Sequence, residues 1–192
     1  MVPGTERAAR WSLAGCAGGL VIVVAGLLSW NRAVAVSGVA VYLGGVVVFA
    51  VPFVRTGFQR RPYTPATVML AAGTAWLVAG LLADAVALCR ASDPLALAGD
   101  IAEFVPWLVV GFVVQVLLGA MSYLVPIVLA TGPALGRRRA AMLRTWWMPR
   151  VIALNLGAAL VALPGTAVAR TGWILVVVSI VSFAGLALLT VF

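Results

Sequence analysis

Six apolar runs organise this sequence, at residues 11–30, 33–54, 65–89, 97–130, 151–169 and 172–192. Each is close to the length that crosses a bilayer, because about 30 Å of hydrocarbon takes about 20 helical residues. In hydrocarbon every backbone N–H and C=O must pair within the chain, and an unbroken apolar run achieves that as a helix. The fold expected is therefore all-α: a polytopic transmembrane helix bundle of about six helices, forming a single multi-pass membrane domain over residues 1–192. Composition agrees. Apolar residues make up 64% of the chain and charged residues 9%, against about 45–50% and about 25% in soluble domains.

Residues 11–30 follow Arg7 and Arg10 and so resemble a signal peptide in charge. The apolar run exceeds the 7–15 residues of a signal core, and no A-x-A site follows it. It is read as a retained helix. The fourth run is longer than a crossing needs. Asp93-Pro94 suits a helix start, Pro106 marks a kink or break, residues 105–129 cross, and Gly132-Pro133 ends the helix.

The basic residues are all arginine. Arg7, Arg10, Arg55, Arg60, Arg61, Arg137, Arg138, Arg139, Arg144 and Arg150 fall on one side of strictly alternating loops. Arg32, Arg90 and Arg170 fall on the other. Short cytoplasmic loops carry the excess of arginine and lysine, which places both termini in the cytoplasm of a cell-membrane protein. The net charge of +8 is thereby accounted for as topogenic charge, and no nucleic-acid partner is expected. Asp84, Asp93, Asp100 and Glu103 gather toward the outer side. Trp11, Trp30, Tyr63, Trp107, Trp146, Trp147 and Trp173 lie near the expected helix ends, as in a headgroup belt.

There is no histidine. Imidazole ligation of haem, copper or zinc is excluded, and so is a histidine-based nucleophile system. Cys16 and Cys89 sit apart within apolar runs, where they read as small packing residues. No cofactor, metal site or catalytic residue is expected.

The fourth run carries the main candidate site. Gly111, Gln115, Gly119 and Ser122 recur on one helical face, and Tyr123 and Pro126 continue it. A glutamine amide in hydrocarbon needs a partner, so this face turns into the bundle. It either lines a cavity for a cofactor, quinone or substrate, or makes an interhelical hydrogen bond, for example to Asn155. By depth, Asn155 is placed opposite Ser122 or Tyr123. Small residues at Gly15, Gly18, Gly19 and Gly26, at Gly38 and Gly45, and at Gly73 and Gly80 allow close helix approach. Two uses are open for them, a homo-oligomer seam or packing inside one bundle. Asp84 is a candidate intramembrane acid, either functional or hydrated and paired with Arg90. Arg137, Arg138, Arg139 and Arg144 form a candidate anionic-lipid loop.

The run QVLLGAMSYLVP at 115–126, followed by Thr131, Gly132 and Pro133, resembles a known pattern, as does RVIALNL at 150–156. The loop RRPYTP at 60–65 and Trp76 fit it as well. These segments resemble the membrane portion of actinobacterial multicopper oxidase or copper nitrite reductase-like proteins, in which a multi-helix membrane domain is joined to cupredoxin copper domains. The likeness covers residues 39–164. The pattern is also distantly similar to subunit I of haem–copper oxidases, with Gln115 where such a helix would offer histidine. The resemblance implies membership for the membrane part only and carries no copper or haem onto any residue. This chain has no cupredoxin domain, and the His- and Asn-rich membrane segment that precedes the region in that family is missing. The chain then corresponds to the later part of a split or truncated membrane domain.

The expected function is a multi-pass anchor or assembly partner of a copper or redox protein. Its partners would be the lipid bilayer, a cupredoxin or redox chain, and a second copy of itself. The alternative is a small transporter or channel subunit built on the Gln115 face. A membrane enzyme using Asp84, Asp100 or Glu103 as acid or base is the weakest reading, since no second deep carboxylate accompanies them.

Overall fold

The computed structural model describes residues 5–59, 64–129 and 133–190. Among them the chain forms seven helices and no strand. They are α1 Thr5–Leu28, α2 Arg32–Gln59, α3 Pro65–Arg90, α4 Pro94–Leu129, α5 Pro133–Leu143, α6 Trp147–Val161 and α7 Thr166–Leu189. Five of these (α1, α2, α3, α4 and α7) contain spans long and apolar enough to cross a membrane.

The count is seven where the apolar runs suggest six. The added helix is α5, read from sequence as an arginine-rich loop. Pro133 opens it, as suits a first helical position, and the following residues are good helix formers. Its charge kept it out of the apolar pattern without keeping it out of helix. The last two helices also differ from their expected bounds. The break falls at 162–165, with Gly165 at φ 117°, rather than at 170–171. Pro164 disfavours a helical residue before it, and Gly165 adopts a conformation that side chains rarely allow. Arg170 therefore lies inside α7 instead of in a loop. Arg55 similarly lies within α2, while Arg60, Arg61 and Tyr63 lie outside the described residues.

The chain divides into two compact units. The first comprises residues 1–61 and 77–104, the second residues 62–76 and 105–192. In the first, α1 and α2 form a hairpin. The turn is a Schellman-type closure in which Asn31 N–H reaches Gly26 O (2.8 Å) and Trp30 N–H reaches Leu27 O (3.1 Å). Trp30 takes the left-handed conformation at φ 48° that glycine usually supplies. Asn31 Oδ1 then accepts from Val34 N–H (3.3 Å) and caps α2. Arg32 stacks over the Trp30 ring (5.5 Å) and its Nη2 donates to Ser92 O (2.7 Å), tying this turn to the start of α4.

Small residues line the hairpin. Gly15 faces Gly45, Gly19 faces Tyr42, and Gly26 faces Ala35. The small-residue seams of α1 and α2 are thus used for packing within the chain. A Cβ on Gly19 would stand 2.5 Å from Tyr42 N and 2.7 Å from its Cα, while one on Gly18 meets nothing within 4 Å. Gly19→Ala is expected to lower stability by about 1–3 kcal/mol, because backbone cannot move aside as a side chain can. Gly18→Ala is expected to be neutral or to stabilise by up to about 1 kcal/mol through helix propensity. Unfolding of both variants in mixed micelles checks the contrast.

Asp93 caps α4. Its Oδ1 accepts from Leu95 N–H (3.0 Å) and Ala96 N–H (2.9 Å), and its Oδ2 from the Ser92 hydroxyl (2.9 Å). The Ala96 bond, then the Ser92 bond, hold the carboxyl below its ordinary value, with a smaller contribution from Arg32. With the folded value below the unfolded one, the stabilisation is fully present above about pH 4. It is lost as pH falls through the folded value. Faster amide exchange at Leu95 and Ala96 on acidification, relative to the middle of α4, is the expected sign.

The second unit has a core of Met69, Val110, Leu118, Leu143, Val151, Leu154, Ala158, Val176 and Phe183. Here α6 and α7 pack backbone to backbone. A Cβ on Gly157 would lie 2.9 Å from Gly172 O, and one on Gly172 2.8 Å from Gly157 O.

Candidate functional site: a polar cluster on the fourth helix

Midway along α4 the α-helix opens into a π-helical segment, Val109–Val114, which leads directly into Gln115. Such segments add a residue to a turn and are frequent at functional sites. Here the segment accompanies the seating of an indole. The Trp76 ring lies against Gly111, where a Cβ would come within 2.5 Å of Cγ and 2.6 Å of Cδ2. Trp107 also packs against Trp76, with centroids 5.5 Å apart and planes at 57°. Trp107 is half-buried and spends part of its ring on this contact.

The indole is aimed at Asn155. Trp76 Nε1–H donates to Asn155 Oδ1 at 2.9 Å, and Gln115 Nε2–H donates to the same oxygen at 2.9 Å. Asn155 Nδ2 donates to Val151 O one turn earlier (2.8 Å) and more weakly to Gln115 Oε1 (3.4 Å). Both lone-pair directions of the Asn155 carbonyl and both of its N–H groups are therefore occupied. Gln115 is 0% exposed. The three residues come from α3, α4 and α6, so the cluster clasps three helices of the second unit at one point.

Of the face read from sequence, Gly111 receives Trp76, Gln115 joins the cluster, and Gly119 lies beside Met69 and Leu70 of α3. Gly73 completes the seam from the α3 side, against Val116, Phe112 O and Gln115 Cβ. Ser122 turns its hydroxyl back to Leu118 O at 2.7 Å, the usual intrahelical partner of serine in a helix. Tyr123 is 65% exposed. Asn155 therefore stands opposite Gln115, a level deeper than Ser122 or Tyr123. The reason is that α6 begins at Trp147, four residues before the apolar run that marked it, which shifts Asn155 toward the helix centre.

Trp76 is the member that residue-by-residue reading passed over. The available signal was an indole N–H in the middle of an apolar run, which in hydrocarbon needs an acceptor as much as an amide does. Arg150, counted as loop charge, is a second such case. It is buried and fans out over the turn between α5 and α6. Its Nη2 reaches Leu143 O (2.6 Å) and Thr145 O (2.8 Å), and its Nε reaches Trp146 O (3.3 Å). The guanidinium also lies over the Phe183 ring at 5.8 Å. Trp146 itself is left-handed at φ 56°, a turn that leaves these carbonyls directed at one point.

Asp84 is half-buried in α3 and has no hydrogen-bond or ion-pair partner among the described residues. Arg90, at the last residue of α3, is exposed and not paired with it. The four arginines of the lipid-loop reading separate into different roles. Arg139 donates to Leu129 O and so satisfies a terminal carbonyl of α4. Arg137, Arg138 and Arg144 are exposed. Cys16 and Cys89 are both free thiols.

Comparison with protein-family models, with curated proteins and with solved structures gives no match.

Proposed function

We propose that the chain is a multi-pass membrane anchor or assembly partner of a copper-containing or other redox protein, without a catalytic centre of its own. In this reading it lies in the cell membrane with both termini cytoplasmic. The observation that carries the reading is the closed cluster of Trp76, Gln115 and Asn155. A transporter built on the Gln115 face needs those polar groups turned to a passage. They are instead spent on one another, which suits a rigid scaffold. The class of the partner rests on the resemblance of residues 39–164 to membrane domains of copper oxidases.

Cross-linking in native membranes, followed by mass spectrometry of the captured chain, tests the partner. A cupredoxin-type or other redox protein among the adducts is the expected outcome. Solute flux through vesicles reconstituted with the pure chain, abolished in Gln115→Leu, would instead establish the transporter reading.

Orientation depends on α6. Its 15 residues span about 22 Å at 1.5 Å each, short of the hydrocarbon thickness, yet it packs along α7. Counted as a crossing, α6 brings the C-terminus back to the side of the N-terminus. A fluorescent reporter that folds only in the cytoplasm is expected to light up when fused to either end. A dark C-terminal fusion, with a phosphatase fusion active there, would mean that α6 does not cross.

A further inference from the structure

A cavity of about 380 Å³ opens in the second unit between the start of α3, the last turns of α4 and α5. Among the described residues its lining carries one formal charge, the guanidinium of Arg144, and no acid. The Arg144 side chain has no partner among the described residues, so its forked donors are free. Tyr123 contributes a phenol hydroxyl that is likewise unpaired among the described residues. Thr64 and Thr67 add a hydroxyl pair 2.7 Å apart. One proton of that pair is used between them, which leaves the other for the cavity. Thr64 Oγ1 also accepts from Thr67 N–H (3.2 Å) and caps α3. The guanidinium is a donor only and each free hydroxyl can donate, as the oxygens of a phosphate require.

The surroundings of the cavity add a second kind of contact. Leu124 and Ile127, on the last turns of α4 beside Tyr123, are 45% and 55% exposed. On α5, Arg137 falls on the same face as the lining residue Ala140, three residues on, and Arg144 follows directly after the helix. A donor-lined cavity at the ends of two spanning helices, next to bare apolar helix surface and a basic flank, fits one amphiphile well. We infer that this cavity binds the phosphate of an anionic phospholipid headgroup, with Arg144 and Tyr123 as the contacting side chains and the acyl chains lying along α4. The inference is independent of the identity of any protein partner.

Native mass spectrometry of the full chain in mild detergent, titrated with phosphatidylglycerol or phosphatidylcholine, tests it. Preferential retention of phosphatidylglycerol is expected. Arg144→Gln should weaken that retention about fivefold, the share of one basic residue near a membrane surface. Tyr123→Phe, which removes only a hydroxyl and leaves the packing unchanged, should weaken it about threefold, in keeping with one lost hydrogen bond. Arg138→Gln removes the same charge from α5 outside the cavity and should leave retention unchanged. Equal losses in Arg138→Gln and Arg144→Gln would overturn the site in favour of diffuse surface charge. So would an absence of preference between the two lipids. Displacement of the lipid by inorganic phosphate at comparable concentration would reassign the cavity to free phosphate and overturn the lipid assignment.

Discussion

Asn155→Leu is expected to destabilise the protein by about 2–4 kcal/mol, and Gln115→Leu by only about 1 kcal/mol. The asymmetry follows from who accepts. Asn155 Oδ1 takes both the Trp76 and the Gln115 protons, so its loss strands two donors at once. Each stranded donor costs about 1–3 kcal/mol, and more where no water can reach. Removing Gln115 leaves Asn155 still bonded to Trp76 and to Val151 O. What is lost is one interhelical hydrogen bond, worth about 0.6 kcal/mol on average in membrane proteins, and one long contact. Trp76→Phe should resemble Gln115→Leu in hydrogen bonding. Unfolding in mixed micelles of rising sodium dodecyl sulfate content ranks the three. A Gln115→Leu cost equal to or above that of Asn155→Leu would show that Asn155 is not the hub.

Arg150→Met is expected to cost about 2–3 kcal/mol and to loosen α5 selectively. The substitution keeps much of the apolar stem but orphans the carbonyls of Leu143 and Thr145, at about 1–3 kcal/mol each, and takes one of two donors from Trp146 O, which keeps the backbone N–H of residue 150. Part of that is offset, because a buried guanidinium carries its own desolvation cost. Its Nη1 also has no hydrogen-bond partner among the described residues. Arg150→Lys should recover little. An ammonium is a point donor and cannot fork across three carbonyls or lie flat over the Phe183 ring. Limited proteolysis around α5 reads the effect locally, with faster cleavage in Arg150→Met and unchanged cleavage in the exposed Arg138→Gln as the expected pair. Uniform loss of the whole fold would argue that Arg150 serves the core rather than the turn.

The long helices were legible in the sequence because length and apolarity are one-dimensional properties. The apolar runs match α1 to α4 and α7 within a few residues at most ends. The break between the last two helices was also written there, in Pro164-Gly165. It was obscured because the apolar pattern continues through it, and hydropathy does not register a turn. α5 was hidden by its own charge.

The candidate site divides in the same way. That Gln115 must face a partner follows from hydrocarbon being unable to satisfy an amide, and that holds before any fold is known. Which partner it meets depends on the relative level of three helices, set by where α6 starts and by how Trp76 seats on Gly111. The role of Arg150 is a further case, since a charge at a loop boundary reads as topogenic until the turn beside it gathers three carbonyls. Helices long and apolar enough to cross a membrane, with polar residues turned inward, were therefore legible segment by segment, because hydrocarbon imposes those requirements on each segment alone. That Trp76, Gln115 and Asn155 close on one another, and that Arg150 closes a turn, came only with the packed helices. Hydrogen bonds are short and directional, and their partners are chosen by helix register, which no single segment contains.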